Sequence, residues 1–458
     1  MDLCATPAVD LARLIRSREL SATELLTAAL ARIDQANPAI NAIVTLDAER
    51  ALATAAELDS LAARGSFPGP LHGLPIAVKD LAETAGIRTT FGSPIFASYV
   101  PSFDAPHVAL LKQAGAVVIG KTNTPEFGAG SQTFNPVFGP TRNPHDPRLT
   151  AGGSSGGAAA AVAAGMIPFA DGSDLAASIR NPASFCGVVG LRTTPGLVPG
   201  DVLDSLAVVG PIARSAPDAA VLLAGMCGRD PGLPLARPDR AADFLGLRAV
   251  SLRGLRVAWT FDLGDLPVQP AVREVLGSLR QRLEQAGCSV ADDAPDLSAA
   301  DDVFQVLRAA LMAGMAPVLR AHREQIKPTL AWNIEKGIAL TGEQVAAAQT
   351  ARDAIFQRVK SFLADGRYEV LALPTVQVVP FPVETEWVEE INGEPMATYI
   401  DWMRSCSRIT VSAHPAISVP AGLTACGLPV GVQLVGRYGA DLRLLQIAAA
   451  IMALADSG

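Results

Sequence analysis

TAGGSSGGAAAAVAAGMIPFADGSDLAASIRNPASFCGVVGL, residues 150–191, is the densest signal in the chain. It reads as two turns of small residues joined by a helix and a short strand. Gly152-Gly153-Ser154-Ser155-Gly156-Gly157 leads straight into an Ala-rich run over 157–165. A Gly/Ser stretch reads by default as a flexible loop, but a linker has no reason to feed directly into a helix. The first N–H groups of such a helix favour negative charge at the turn. Met166-Ile-Pro-Phe169 is then expected as a strand, followed by the second turn.

Outward from this segment, short apolar runs alternate with helical patterns. Ile76-Ala-Val78 and Ala116-Val-Val-Ile119 predict strands, and 105–114 predicts a helix. Residues 8–35 carry a helical stripe with a capping box at Ser21–Glu24, and Asn37-Pro38 is expected to end it. Between about 215 and 365 the pattern is mainly helical, with long runs over 270–287, 299–325 and 342–364. Val370-Leu-Ala-Leu373 and Ala416-Ile-Ser-Val-Pro420 return to strands. Alternation of this kind predicts an α/β fold around a largely buried sheet. Without a repeat or a Ser/Gly linker, residues 1–458 read as a single domain: 60–215 as its core, 215–365 as a helical excursion and 366–458 as a return to the sheet. Residues 376–403, with Trp387, Asn392, Gly393 and Trp402, are expected to be a long surface loop covering a site.

Composition excludes several classes. Hydrophobic residues make up 49% and charged residues 18%, enough apolar material for a deep core and too few charges for a disordered chain. The formal charge of −8 and the lack of a basic cluster disfavour nucleic-acid binding. The N-terminus lacks the pattern of a signal peptide, and the apolar run 158–170 is shorter than the roughly 20 residues of a membrane span, so a cytoplasmic protein with no membrane partner is expected. The six cysteines are scattered and the five histidines show no ligand spacing, so neither disulfides, a metal nor a cofactor is expected. Oligomeric state is not readable.

Two of the six lysines, Lys79 and Lys121, end apolar strand-like runs. A lysine there either reaches water or loses its charge to desolvation, which would make it a usable base. Gly152-x-Ser154-x-Gly156 matches a nucleophile elbow, but the preceding residues, with two prolines, read as loop where the elbow needs a strand. Residue chemistry by itself chooses neither the lysine nor a serine.

HGLPIAVKD (72–80), GKTNTPEF (120–127), the GGSSGG turn, GSDLAASIRNPASFCGVVGLR (172–192), GPIARSAPD (210–218), HPAISVPAG (414–422) and GLPVGVQLVGR (427–437) resemble the amidase signature family, in the family's order. The resemblance implies a large mixed β-sheet flanked by helices on both sides and a Ser–cis-Ser–Lys triad. Lys79 matches the catalytic lysine, Ser154 the cis-serine and Ser178 the nucleophile, so Ser155 is not the bridging serine. The backbone N–H groups of Leu175, Ala176, Ala177 and Ser178 are expected to surround the oxyanion. Ser155, Asp174 and Arg180 are expected to position the site, Asp174 and Arg180 as an ion pair; Cys186, His72 and His414 are expected to be structural. The family has Gly-Gly where this chain has Ala176-Ala177, and a positive φ there would strain alanine.

The pattern is similar to bacterial aryl acylamidases and to the family's urethanases. It implies hydrolysis of amides, anilides or carbamates, with small hydrophobic or aryl substrates and with esters also within reach. Trp332, Trp387, Trp402 and Met403 are expected as apolar pocket lining. Two alternatives stand beside this: a non-catalytic member that binds a ligand or partner, suggested by Ala176-Ala177, and an amidotransferase-type glutaminase subunit. Residues Leu197 to Leu206 differ from the latter's pattern.

Overall fold

The computed structural model describes residues 2–200, 205–228, 235, 237, 241–364 and 366–455; residues 201–204, within the stretch after the core motif, lie outside the described residues. The strands, in chain order, are β1 (Ile43–Leu46), β2 (Pro75–Lys79), β3 (Val117–Thr122), β4 (Phe169–Asp174), β5 (Val189–Arg192), β6 (Val208–Ala213), β7 (Arg256–Trp259), β8 (Ser289–Asp292), β9 (Val370–Pro374), β10 (Glu390–Ile391), β11 (Glu394–Pro395), β12 (Ala416–Leu423) and β13 (Pro429–Val435). Among the described residues they form an eight-stranded mixed sheet, ordered β4-β6-β5-β12-β13-β9-β7-β8, a three-stranded sheet ordered β1-β3-β2, and the hairpin β10-β11. Helices flank the large sheet, as an α/β reading of the sequence predicts.

The large sheet is antiparallel from β4 through β13 to β9, and parallel across β9-β7-β8. Strand β2, fully buried, pairs in parallel with β3. Its C-terminal residue, Lys79, meets β4 across the gap between the two sheets: the Lys79 N–H donates to Asp171 Oδ1 on β4 at 2.9 Å. The site is therefore built where an edge strand of one sheet faces the end of a strand in the other.

Several local expectations shift. The stripe over 8–35 divides into the helices Ala8–Ser17 and Ala22–Ile40, broken where Arg18 turns to φ 65°. The Ser21 capping box forms as expected. Pro38 does not end the second helix. Proline costs one backbone hydrogen bond in a last turn, and the Asn37 side chain takes over the end by accepting from the N–H groups of Ala42 and Ile43. Strand β4 starts at Phe169, three residues after the expected start, because Gly165 at φ 70° carries the chain through a turn first.

The region 215–365 is mainly helical, and β7 and β8, which lie inside it, complete one edge of the large sheet. Four-residue strands between long amphipathic helices carry too little periodicity to stand out. The expected helix 299–325 is broken into Ala300–Met312, a 3-10 turn, Ala316–His322 and a second 3-10 turn. By length and mean hydropathy (1.4) this run, Ala300–Gln325, could cross a membrane. Its Val303, Phe304 and Leu307 instead enter the core beside the helix Gly342–Phe362. Segment 376–403 is likewise no simple surface loop. Asn392 and Gly393 both adopt positive φ and close the β10-β11 hairpin, and Met396, Ile400 and Trp402 are buried.

The helix Gly156–Ala163 is buried up to its last residue, with seven of its eight residues Gly or Ala, and its approach to the small sheet depends on Gly157. A Cβ there would sit 2.7 Å from both Ala42 O and Asn123 O. Gly157→Ala should therefore lower the thermal midpoint, through overpacking of about 1–3 kcal/mol partly offset by better helix propensity. A midpoint equal to or above that of the parent chain would disprove the close approach.

Candidate active site

Lys79 is almost completely buried (1% exposed). Its Nζ donates to Ser154 Oγ and Ser155 Oγ, both at 2.8 Å, and to Ser173 Oγ at 3.0 Å. Among the described residues no carboxylate lies within ion-pair distance of this amine. Burial drives its pKa from 10.5 down to about 7, against the opposing fields of Asp171 and Asp174. An amine in this state, held by hydroxyl groups, can take a proton from one of them near neutral pH.

Lys121 is buried as well, so neither lysine snorkels to the surface. Its Nζ donates to Ala82 O and, at 2.9 Å, to Thr84 Oγ1, and burial lowers its pKa to about 8. It touches none of the site serines. The two lysines look alike in sequence and differ in what their amines reach.

The turn before the helix Gly156–Ala163 has a cis peptide between Gly153 and Ser154. Both serines of the pair contact Lys79 equally, and the cavity separates them. Ser154 lines a cavity of about 670 Å³ together with Lys79, Ser173 and Ser178; Ser155 does not. The Ser155 hydroxyl instead approaches Ser173 O at 3.4 Å, and its N–H donates to Ser178 O at 3.0 Å, fastening the two turns together.

Asp174 organises the second turn. Its carboxylate accepts from the N–H of Ile179 (3.1 Å) and Arg180 (3.4 Å) and from Arg180 Nε (3.0 Å) and Nη2 (2.9 Å). Burial alone would raise this carboxyl, but Arg180 and Arg192 outweigh it and hold it at about 2. With the next two amides taken by Asp174, no hydrogen bond among the described residues uses the N–H groups of Leu175, Ala176, Ala177 or Ser178. A run of free amides at the wall of a cavity is suited to a developing negative charge. Neither Ala176 nor Ala177 has a positive φ, so the strain expected from replacing Gly-Gly is absent. Ala177 packs into the core, and Ala176 forms part of the cavity wall.

Arg180 is fully engaged. Beyond Asp174 it donates to Gln433 Oε1 (2.6 Å), Cys406 O (3.1 Å), Ala176 O and Thr410 Oγ1 (2.8 Å each). It ties the turn to β13 and to the helix Arg404–Val411. Of the expected apolar lining, Met403 faces the cavity, whereas Trp332, Trp387 and Trp402 do not. Trp402 is wholly buried, stacked on Phe185 and donating to Ser131 Oγ at 3.1 Å. A large aromatic in an apolar segment satisfies the core as well as it would a pocket.

Ser173, Asp171 and His107 are cavity residues that the reading of the sequence missed. Ser173 sits one residue before Asp174, in plain view but without a distinguishing pattern. Asp171 and His107 form a pair at 3.2 Å, both lining the cavity, contributed by β4 and by the helix Pro106–Gln113. Sixty-four residues separate them in sequence, so no local spacing announces the contact.

A family model described as Amidase matches residues 24–445. The acylamidase of Rhodococcus erythropolis is 35% identical over 452 residues, covering 96% of this chain and 94% of its own. A glutamyl-tRNA(Gln) amidotransferase subunit of Moorella thermoacetica is 35% identical over 477 residues, covering 98% and 96%. A crystal structure of a bacterial aryl acylamidase of the amidase signature family superposes with a TM-score of 0.90 at 28% identity, covering 98% of this chain and 96% of its own.

The amine pKa values are measurable directly, since only six lysines share the spectrum. In protein labelled with 15N at the lysine amines, Lys79 should titrate with a midpoint near 7, well below exposed lysines at about 10.4. A Lys79 signal that stays charged above pH 9 would rule out the neutral amine.

Proposed function

Because the chain belongs to the amidase family, we propose that it hydrolyses small hydrophobic or aryl amides and anilides through an acyl-enzyme formed on Ser178. Esters and carbamates (urethanes) fall within the same chemistry. The observation that carries this reading is the buried Lys79 amine, 2.8 Å from Ser154 Oγ, in one cavity with Leu175, Ala176 and Ser178, whose amides are free.

In this reading neutral Lys79 takes the proton of Ser154, which takes that of Ser178 as its oxygen attacks the amide carbonyl carbon. Negative charge gathers on the carbonyl oxygen beside the N–H groups of Leu175, Ala176, Ala177 and Ser178, where each donor contributes about 3 kcal/mol to the transition state. The proton held by Lys79 returns through Ser154 to the nitrogen of the leaving amine as the C–N bond breaks. Water, deprotonated by the same relay, attacks the ester and frees the acid and Ser178. With a carbamate the same attack ultimately releases an alcohol, an amine and carbon dioxide. Ser155, Ser173, Asp174 and Arg180 position the relay.

The likeness to an amidotransferase component supports a second reading, a glutaminase that works within a larger assembly. A panel of 4-nitroanilides, primary amides, aryl carbamates and glutamine, ranked by kcat/KM, separates the two; glutamine as the preferred substrate would favour the second.

A fluorophosphonate should add its mass to the Ser178 peptide. A chain left unlabelled while a related acylamidase reacts in parallel would show a non-catalytic member. On anilides, kcat/KM should rise with pH about a midpoint near 7, because the free base is the active form of Lys79. Lys79→Met and Ser154→Ala should each lower kcat/KM by about 10²–10⁴-fold, the usual worth of a positioned base, and Ser155→Ala by far less. Equal losses for the two serines would undo their assignment.

A further inference from the structure

Four arginines are buried among the described residues: Arg180, Arg192, Arg308 and Arg408. Three hold a carboxylate: Arg180 and Arg192 share Asp174, and Arg408 pairs with Asp265 and Asp301. Arg308, 3% exposed, has no ion pair among the described residues. Its Nη1 donates to Asn333 Oδ1 and its Nη2 to Gln305 Oε1 at 3.0 Å; its Nε is buried without an acceptor. A guanidinium has five N–H donors, so this one is left short of acceptors. The Trp332 ring lies 5.6 Å from its Cζ and offsets only part of the burial. Asp401, whose field reaches Arg308, is turned to the N–H and hydroxyl of Thr398 at 2.8 and 3.1 Å.

Arg308 forms part of the wall of the cavity that holds Lys79, Ser154 and Ser178. Beside it on that wall stands Tyr399, whose hydroxyl oxygen accepts from Asn333 Nδ2 at 2.9 Å and whose proton has no acceptor among the described residues. The acids on the wall besides Glu83 are already engaged: Asp104 with Lys112 at 2.7 Å, Asp171 with the Lys79 N–H and His107. A buried cation that lacks its anion destabilises the fold, a cost removed when a ligand brings the anion. Arg is also the side chain that receives a carboxylate through two parallel hydrogen bonds.

We propose that Arg308, with the Tyr399 hydroxyl, binds a carboxylate carried by the substrate away from the scissile bond, so that the preferred amides are monoacids with an apolar body. This rests on the hydrolase reading and narrows it. Tyr399 and Arg308 are specificity residues and take no part in the proton relay.

The test compares acid and neutral partners of one shape: glutaryl-4-nitroanilide against its methyl ester, with the carboxylate on the acyl side, and 4-acetamidobenzoate against its methyl ester, with it on the amine side. Anilide cleavage is read by release of the arylamine. The parent chain should favour the acid by about tenfold or more in kcat/KM in one pair, chiefly through KM. Arg308→Met should reduce that preference to less than about twofold while cleaving the neutral partner at an unchanged kcat; Arg308→Lys should keep part of it. No acid preference in either pair, or a preference that survives in Arg308→Met, overturns the inference while anilide hydrolysis stands. A chain that cleaves none of the four, with Ser178 inert to fluorophosphonate, fails the hydrolase reading instead. Binding is then read alone: glutarate and benzoate should raise the thermal midpoint of the parent chain and not of Tyr399→Phe or Arg308→Met, and no rise for either acid also overturns it. Should Arg308→Met not fold, Tyr399→Phe carries the comparison, expected to weaken acid binding several-fold with the neutral partner unaffected.

Discussion

The buried carboxylate of Asp174 is the constraint on which the site depends. It closes the turn after β4 by taking two backbone amides, and in doing so it leaves the four preceding amides free. Its charge is tolerable in the core only because Arg180 and Arg192 face it, and Arg180 in turn grips β13 and the helix Arg404–Val411. One ion pair thus joins the beginning of the large sheet to the chain's last third. Replacing one partner alone would leave a buried charge uncompensated, a loss of about 3–5 kcal/mol. This explains why residues more than 200 positions apart share the turn.

The second joint is the meeting of β2 with β4. Lys79 contributes both its backbone and its side chain: the N–H holds Asp171, and the amine extends into the cluster of serines. An amine at the end of a fully buried strand has hydroxyl groups to hydrogen-bond with and little solvent exposure to stabilise its charge. The same burial that the β2–β3 pairing enforces is what lowers its hold on a proton.

Much of this was legible in the chain before the fold was known. The small-residue turns and flanking strands carry the α/β architecture, and the resemblance to the amidase signature family is what brings Lys79, Ser154, Ser178, Asp174 and Arg180 forward together. What stayed hidden depends on contacts between distant segments. His107 finds Asp171, Arg308 finds Asn333, and Asn333 finds Tyr399, through tertiary packing that leaves no periodic trace. Short strands such as β7 and β8 were lost among strong helical stripes, while Asn392-Gly393 did carry a hairpin signal that a reading of the segment as loop passes over. The tryptophans illustrate a different limit: aromatic bulk marks burial without saying whether a core or a cavity receives it. The comparisons stop at a similar level, since 35% identity is reached both by an acylamidase and by a component of an amidotransferase. What distinguishes this chain within that range stands on its own cavity wall, which includes Ala176, Met403 and Arg308.

The neutral amine of Lys79 also couples folding to protons. In the unfolded chain this lysine would hold its proton up to about pH 10.4, whereas in the folded chain it releases it near 7. Between those limits the unfolded state binds more protons, so the stability of the fold rises with pH; below about 7 both states are protonated and the penalty for the buried charge is at its fullest. In many proteins a reactive group is kept at the expense of the fold. For Lys79 the two demands run in the same direction, because the alkaline range that frees the amine to act is also the range in which burying it costs least.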